Sequence, residues 1–250
     1  MDFTLERYRQ LLRALKGHGN HAIRHDVDVS PRQALRLARL EAEEGARSVY
    51  YFRAKHLALP DQRHHIEAVA ALGHSIGYHY ENMATCHGDE EAAYADFVEV
   101  LRQARQWFVV EYASAHGSPL SPYDNMDLWK KRDIHALGIV HESMLDTDFA
   151  NTLYLTDVGR MWDGYRVSVR DKVSAVQRAQ ADGGMSFHST ADIIRALSTP
   201  GHAIHGRPLL VNAHPERWNP LGPSWLWNVV MQTAKNSVKR VVVAVREAKR

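Results

Sequence analysis

A single cysteine, Cys86, is the whole thiol inventory of this chain, so neither an internal disulfide nor a cysteine-based zinc finger can form. Charge of one sign is also missing. Lys and Arg number 31 against 29 Asp and Glu, for a formal net charge of +2 and a pI of about 8.6, which is too balanced to argue for a nucleic-acid partner. No apolar run approaches the roughly 20 residues of a membrane span. Residues Met1 to Arg7 carry an early acid and no apolar core of signal-peptide length, so a cytoplasmic protein is expected. No repeat, low-complexity tract or linker interrupts the 250 residues, which are expected to form one domain over 1–250. Histidine, by contrast, is plentiful. There are 16, several of them at the ends of expected strands.

The pattern alternates strand and helix. Strand signals cover His21 to Asp28, Ser48 to Phe52, His74 to Tyr80, Tyr112 to His116, a run led by Gly138, Asn151 to Thr156 and Arg207 to Asn212. Between them, helices are expected from Ser30-Pro31 to about Gly45, from Asp61 to Leu72 with Gly73 as the stop, and from Asp89 to about Phe108. Others are expected over Leu128 to Leu137, from Ser189 or Thr190 to Leu197, and from Ser224 to Lys249. The last of these is basic, with an apolar stripe through Val238, Val241, Val242 and Val245. Residues 157–187 are the least regular. Strands separated by helices imply parallel βαβ units, and six or seven of them imply an α/β fold closed or nearly closed into a barrel.

Reactive groups in such a barrel gather at the C-terminal ends of strands. Side chains alternate along a strand, so Asp26 and Asp28 share a face. Two carboxylates side by side repel and lose hydration, a cost that a metal ion, or a division into ligand and general base, explains. His79, His116 and His214 stand at three further strand ends.

Arg24-His25-Asp26-Val27-Asp28, Gly73-His74-Ser75-Ile76-Gly77-Tyr78-His79 and His214-Pro215, taken together in this order, resemble the polysaccharide deacetylase family (NodB homology, carbohydrate esterase family 4). The resemblance implies a distorted (β/α) barrel and a divalent metal, with zinc the expected ion. It implies Asp26 as catalytic base, Asp28 and His79 as metal ligands, and His214 as general acid, hence a bell-shaped pH profile. The family's second metal histidine would fall at position 83, where this chain has Met83, a poor ligand for such a cation. Strand parity makes Glu81 a substitute candidate and His87 lies a few residues on, but His116 is favoured; it stands in a region where the family carries an arginine. Asp157 to Trp162 weakly resembles a further family motif and brings Arg160 and Trp162 forward as substrate-binding residues. The implied activity is removal of an N-acyl group, acetyl first of all, from an amino sugar or glycan intermediate, with a carbohydrate substrate as the partner. Two alternatives stay open: metal-independent hydrolysis of cyclic or linear amides on the same fold, and a catalytically inactive glycan-binding barrel.

Overall fold

The computed structural model describes residues 1–57, 60–118, 121–163, 174–233 and 236. Seven strands, β1 His21–Val27, β2 Val49–Phe52, β3 Ser75–Tyr80, β4 Val110–Ala115, β5 His141–Glu142, β6 Leu153–Thr156 and β7 Leu209–Asn212, give an α/β fold with helices between strands. Each registered pair is parallel, as the alternation implies.

The chain divides into two compact units, Arg24–Thr147 and the pair of segments Met1–Ile23 with Asp148–Arg250. In the Arg24–Thr147 unit the strands pair in the order β5-β4-β3-β2-β1. One sheet face packs against the helices Pro31–Glu43, Pro60–Ala71 and Glu90–Ala104 through Val27, Tyr50, Phe52, Ile76, Tyr78 and Tyr80, the last two meeting Phe97 of the third helix. The other face carries Arg24, Asp26, Tyr51, Gly77, His79 and Ser114, as the two-residue period requires. This sheet curls. In a flat sheet β1 and β4 would stand about 14 Å apart, yet Arg24 Nη2 on β1 donates to Ser114 Oγ on β4 at 3.0 Å.

Two glycines permit this arrangement. Gly73 ends the helix Pro60–Ala71 at φ +86°, where a side chain would be strained. Gly77 lies beneath the Tyr51 ring, and a Cβ there would fall 2.5 Å from Tyr51 Cδ1. His25, in the middle of the Arg-His-Asp-Val-Asp motif, points away from the Asp face. It meets Glu41 at 2.8 Å in a fully buried network that Tyr50 and Ser48 complete, each donating to Glu41 Oε2.

In the other unit β6 pairs with β7, and the Leu209 amide donates to the Asn20 carbonyl ahead of β1. Tyr8, Leu11, Leu12 and Leu15 of the helix Leu5–Lys16 are buried, as are Ile193 and Leu197 of the helix Thr190–Ser198, which packs beside it. Ser189 caps the latter in a reciprocal box with Asp192.

The helix expected over Leu128 to Leu137 is corrected to two short 3-10 turns, Asn125–Trp129 and His135–Leu137. Its buried residues, Leu128, Trp129 and Ile134, do not recur at the three- and four-residue spacing that gives a helix one apolar face. Residues 223–233 are helical; the Val238 to Val245 stripe lies outside the described residues. Among those residues, no helix is long and apolar enough to cross a membrane.

Candidate metal centre

Strand ends of the Arg24–Thr147 unit bring Asp28, His79 and His116 together. One ligand atom from each lies within 4.8 Å of the others. Asp28 Oδ1 is 3.6 Å from His79 Nε2 and 3.5 Å from His116 Nε2. Donors sharing one tetrahedral zinc at the usual bond lengths would stand about 3.3 Å apart, so two imidazoles and a carboxylate at this spacing fit a zinc-type ion.

The backbone register explains why these residues meet. His79 is opposite Ser114 in the β3–β4 ladder, and the His116 amide extends that ladder by donating to the Tyr80 carbonyl at 2.8 Å. His79 Nδ1 lies 2.9 Å from the Ser114 carbonyl, which only accepts, so Nδ1 carries the proton and, in the neutral ring, Nε2 keeps the lone pair that a cation beside Asp28 would take. Burial works against charge on His79, but the nearby Asp26 and Asp28 carboxylates outweigh it and raise its pKa. His116 Nδ1 faces Ser118 Oγ at 3.0 Å and Glu81 Oε2 at 3.2 Å.

Met83 is 4% exposed and packs in the apolar core, so the position expected to hold the second histidine points away from the cluster. His87 is exposed and stands outside it. Glu81 shares the site's face but binds Arg53, whose Nε and Nη2 donate to it at 2.8, 2.5 and 2.6 Å. Burial pushes the Glu81 carboxyl up, yet hydrogen bonds from His116 and Arg53 bring it down to about 2.

Asp26 stands outside the three-residue cluster. It is 7% exposed, and Arg24 Nη2 donates to both its oxygens at 2.9 and 2.7 Å. The same guanidinium is bound to Ser114, so it ties the aspartate to the strand that orients His79. Arg24 was legible as a same-face neighbour of Asp26, but its pairing was not. Glu142, fully buried on β5, gave no sequence signal at all. It accepts the Ala115 amide at 3.0 Å and the Met144 and Leu145 amides at 2.7 and 2.8 Å, fixing the backbone next to His116.

His214 belongs to the other unit. Its Nδ1 lies 2.6 Å from Asp157 Oδ1, and Asp157 also accepts the His214 amide, Arg217 Nη1 at 2.7 Å and Trp218 Nε1 at 2.8 Å. Arg217 also stands 2.9 Å from His214 Nδ1. Both groups are donors there, so the shorter Asp157 contact is the hydrogen bond. Burial and Arg217 act to lower the His214 pKa, but Asp157 and Glu216 prevail and raise it. Burial likewise works against the Asp157 charge, and Arg217 and His214 overcome it. Trp162 is 4% exposed, donates to Thr190 Oγ1 at 2.9 Å and packs near Phe3 and Trp218. Arg160 donates to the Arg217 carbonyl and to Asn228 Oδ1 at 2.9 and 2.7 Å.

A scan against known protein families gives no match, and a search of curated proteins gives none. Among solved structures the chain is similar to a Streptococcus mutans CE4 esterase, at 13% identity and a TM-score of 0.48, over 96% of this chain and 87% of that one.

Proposed function

We propose that this chain is a metal-dependent hydrolase that removes an N-acyl group, acetyl first of all, from an amino sugar or glycan intermediate of the kind used in surface polysaccharide synthesis. The observation that carries the reading is the Asp28, His79 and His116 cluster, with two imidazole nitrogens and a carboxylate oxygen at a spacing one divalent ion can span. The sugar and the acyl group come from the motif resemblance.

In this reading Asp28, His79 and His116 hold the ion, with zinc proposed. When bound, such an ion supplies Lewis acidity, polarising a carbonyl and easing the ionisation of water. Asp26 takes the proton of the attacking water. Arg24 holds both its oxygens, so the base is fixed in direction before substrate arrives. In the general-acid role that the motif resemblance implies for it, His214 would give a proton to the leaving amine nitrogen. Asp157 accepts from Nδ1, leaving Nε2 as the donating atom and stabilising the charged ring. Arg160 and Trp162 act on substrate indirectly in this reading, Arg160 by holding the Arg217 carbonyl close to His214 and Trp162 by packing with Phe3 and Trp218. The reading without a metal drew on Met83; His116 favours the metal-dependent reading, because it offers a third ligand atom within 4.8 Å of those of Asp28 and His79.

The test is acetate release from a panel of free, oligomeric and nucleotide-linked N-acetylated amino sugars. The protein is stripped by chelator and then reloaded with zinc, beside Asp26→Asn. Activity that appears only on reloading, and is lost in Asp26→Asn, is the expected result. Amide hydrolysis at full rate in the stripped protein overturns the metal-dependent mechanism.

A further inference from the structure

The cluster rests on His116 presenting Nε2, and an imidazole does so only when its proton sits on Nδ1. Two groups face that Nδ1. Ser118 Oγ, at 3.0 Å, leaves the choice open because a hydroxyl both donates and accepts. The hydroxyl also receives Asn125 Nδ2 at 3.0 Å, which leaves its own proton free to point at Nδ1 and force the wrong tautomer. Glu81 Oε2, at 3.2 Å, is a different partner. Arg53 grips both Glu81 oxygens through Nε and Nη2, as it would an ionised carboxylate, and a carboxylate only accepts.

From this geometry we infer that Glu81 is a positioning residue, which places the His116 proton on Nδ1 and so turns Nε2 toward Asp28 and His79. Arg53 acts one step further out. It ties the carboxylate, just past β3, to the end of β2, and both side chains are about one-fifth exposed. The arrangement lets a histidine just beyond β4 complete the cluster. Position 83 supplies only a core methionine, and an imported ligand needs its own orienting partner. For His79 the Ser114 carbonyl does the same work, so both rings are locked by acceptors that have no proton to give. The inference rests on the metal-site reading for its purpose, but not for its test.

The experiment is heteronuclear NMR of the histidine rings in the 15N-labelled, metal-free full chain at a pH where His116 is neutral, with zinc affinity by chelator competition alongside. In wild type, His116 is expected wholly as the Nδ1–H tautomer. Glu81→Gln, whose amide can donate to Nδ1, is expected to populate Nε2–H and to weaken zinc about 10- to 100-fold, with partial recovery in Glu81→Asp. Ser118→Ala is expected to keep the Nδ1–H tautomer and to hold zinc affinity within about twofold. An unchanged tautomer in Glu81→Gln overturns the proposal. A tautomer lost in Ser118→Ala overturns it as well, even if Glu81→Gln fails to fold. Wild type that takes up no zinc overturns the metal centre, while the tautomer comparison still decides the part played by Glu81.

Discussion

Gly77→Ala is a small change with a calculable consequence. A Cβ at this position would stand 2.5 Å from Tyr51 Cδ1, 2.8 Å from Cε1 and 3.1 Å from the Tyr112 carbonyl oxygen. Tyr51 is 2% exposed, and the Arg24 guanidinium lies 5.3 Å from its ring centroid, so the ring has nowhere to retreat without moving the group that holds Asp26. Forcing one methyl into such packing costs about 1–3 kcal/mol. Urea unfolding should show that loss as a lower midpoint at unchanged slope. Gly117→Ala is the matched control. It lies in the same unit with nothing within 4 Å of its Cβ, and its change should stay within about 0.5 kcal/mol. A double-mutant cycle with Tyr51→Val isolates the contact: with the ring gone, the added methyl should cost at least 1 kcal/mol less, a coupling of about the size expected for touching residues. A Gly77→Ala loss below about 0.5 kcal/mol, or the same loss in both Tyr51 backgrounds, would refute the claim that this glycine exists to admit the ring.

Asp28→Ala and His79→Ala should each abolish uptake of about one divalent ion per chain, read by metal mass spectrometry; retention in either removes that residue from the ligand set. Met83→His should lower stability by about 1–3 kcal/mol, because a polar ring enters an apolar core, and should leave zinc affinity unchanged; tighter zinc would show that position 83 reaches the cluster. In the proposed acid role, His214 is active when protonated, and Asp157 is the main group raising its pKa. Asp157→Asn should therefore move the basic limb of kcat/KM to lower pH, and a limb that stays in place excludes His214 as the acid. The Asp157 carboxyl is itself held below its ordinary value, so its contribution to stability is present above about pH 4 and lost as pH falls through the folded value. Asp157→Asn should flatten that acid limb in a thermal-melting series, and an unchanged limb would place the acid sensitivity elsewhere.

Periodicity and spacing determined the strands, their order along the chain and the parallel class, because a βαβ alternation has few other ways to bury its apolar runs. They also determined that Asp26 and Asp28 share a face of their strand, since strand parity is a local property; that His79 faces the same side follows from the register of β1, β2 and β3. Local pattern over-read the stretch from Leu128 to Leu137, where apolar residues occur without a helical stripe. The sequence offered three candidates for a third ligand. The structure brings in His116 because the sheet curls and the β3–β4 register sets it beside His79, whereas Glu81 is claimed by Arg53 and His87 faces solvent. Arg24 reaching Ser114, Glu142 collecting amides around Ala115 and Asp157 holding His214 are likewise products of tertiary structure. The partners in the last two pairs lie 27 and 57 residues apart, and the first depends on the curl that brings β1 to β4. Sequence alone assigned the faces, through a two-residue repeat that needs no folded chain. Only the tertiary structure assigned the partners, because a hydrogen bond between distant residues depends on register and curvature, which no local pattern encodes.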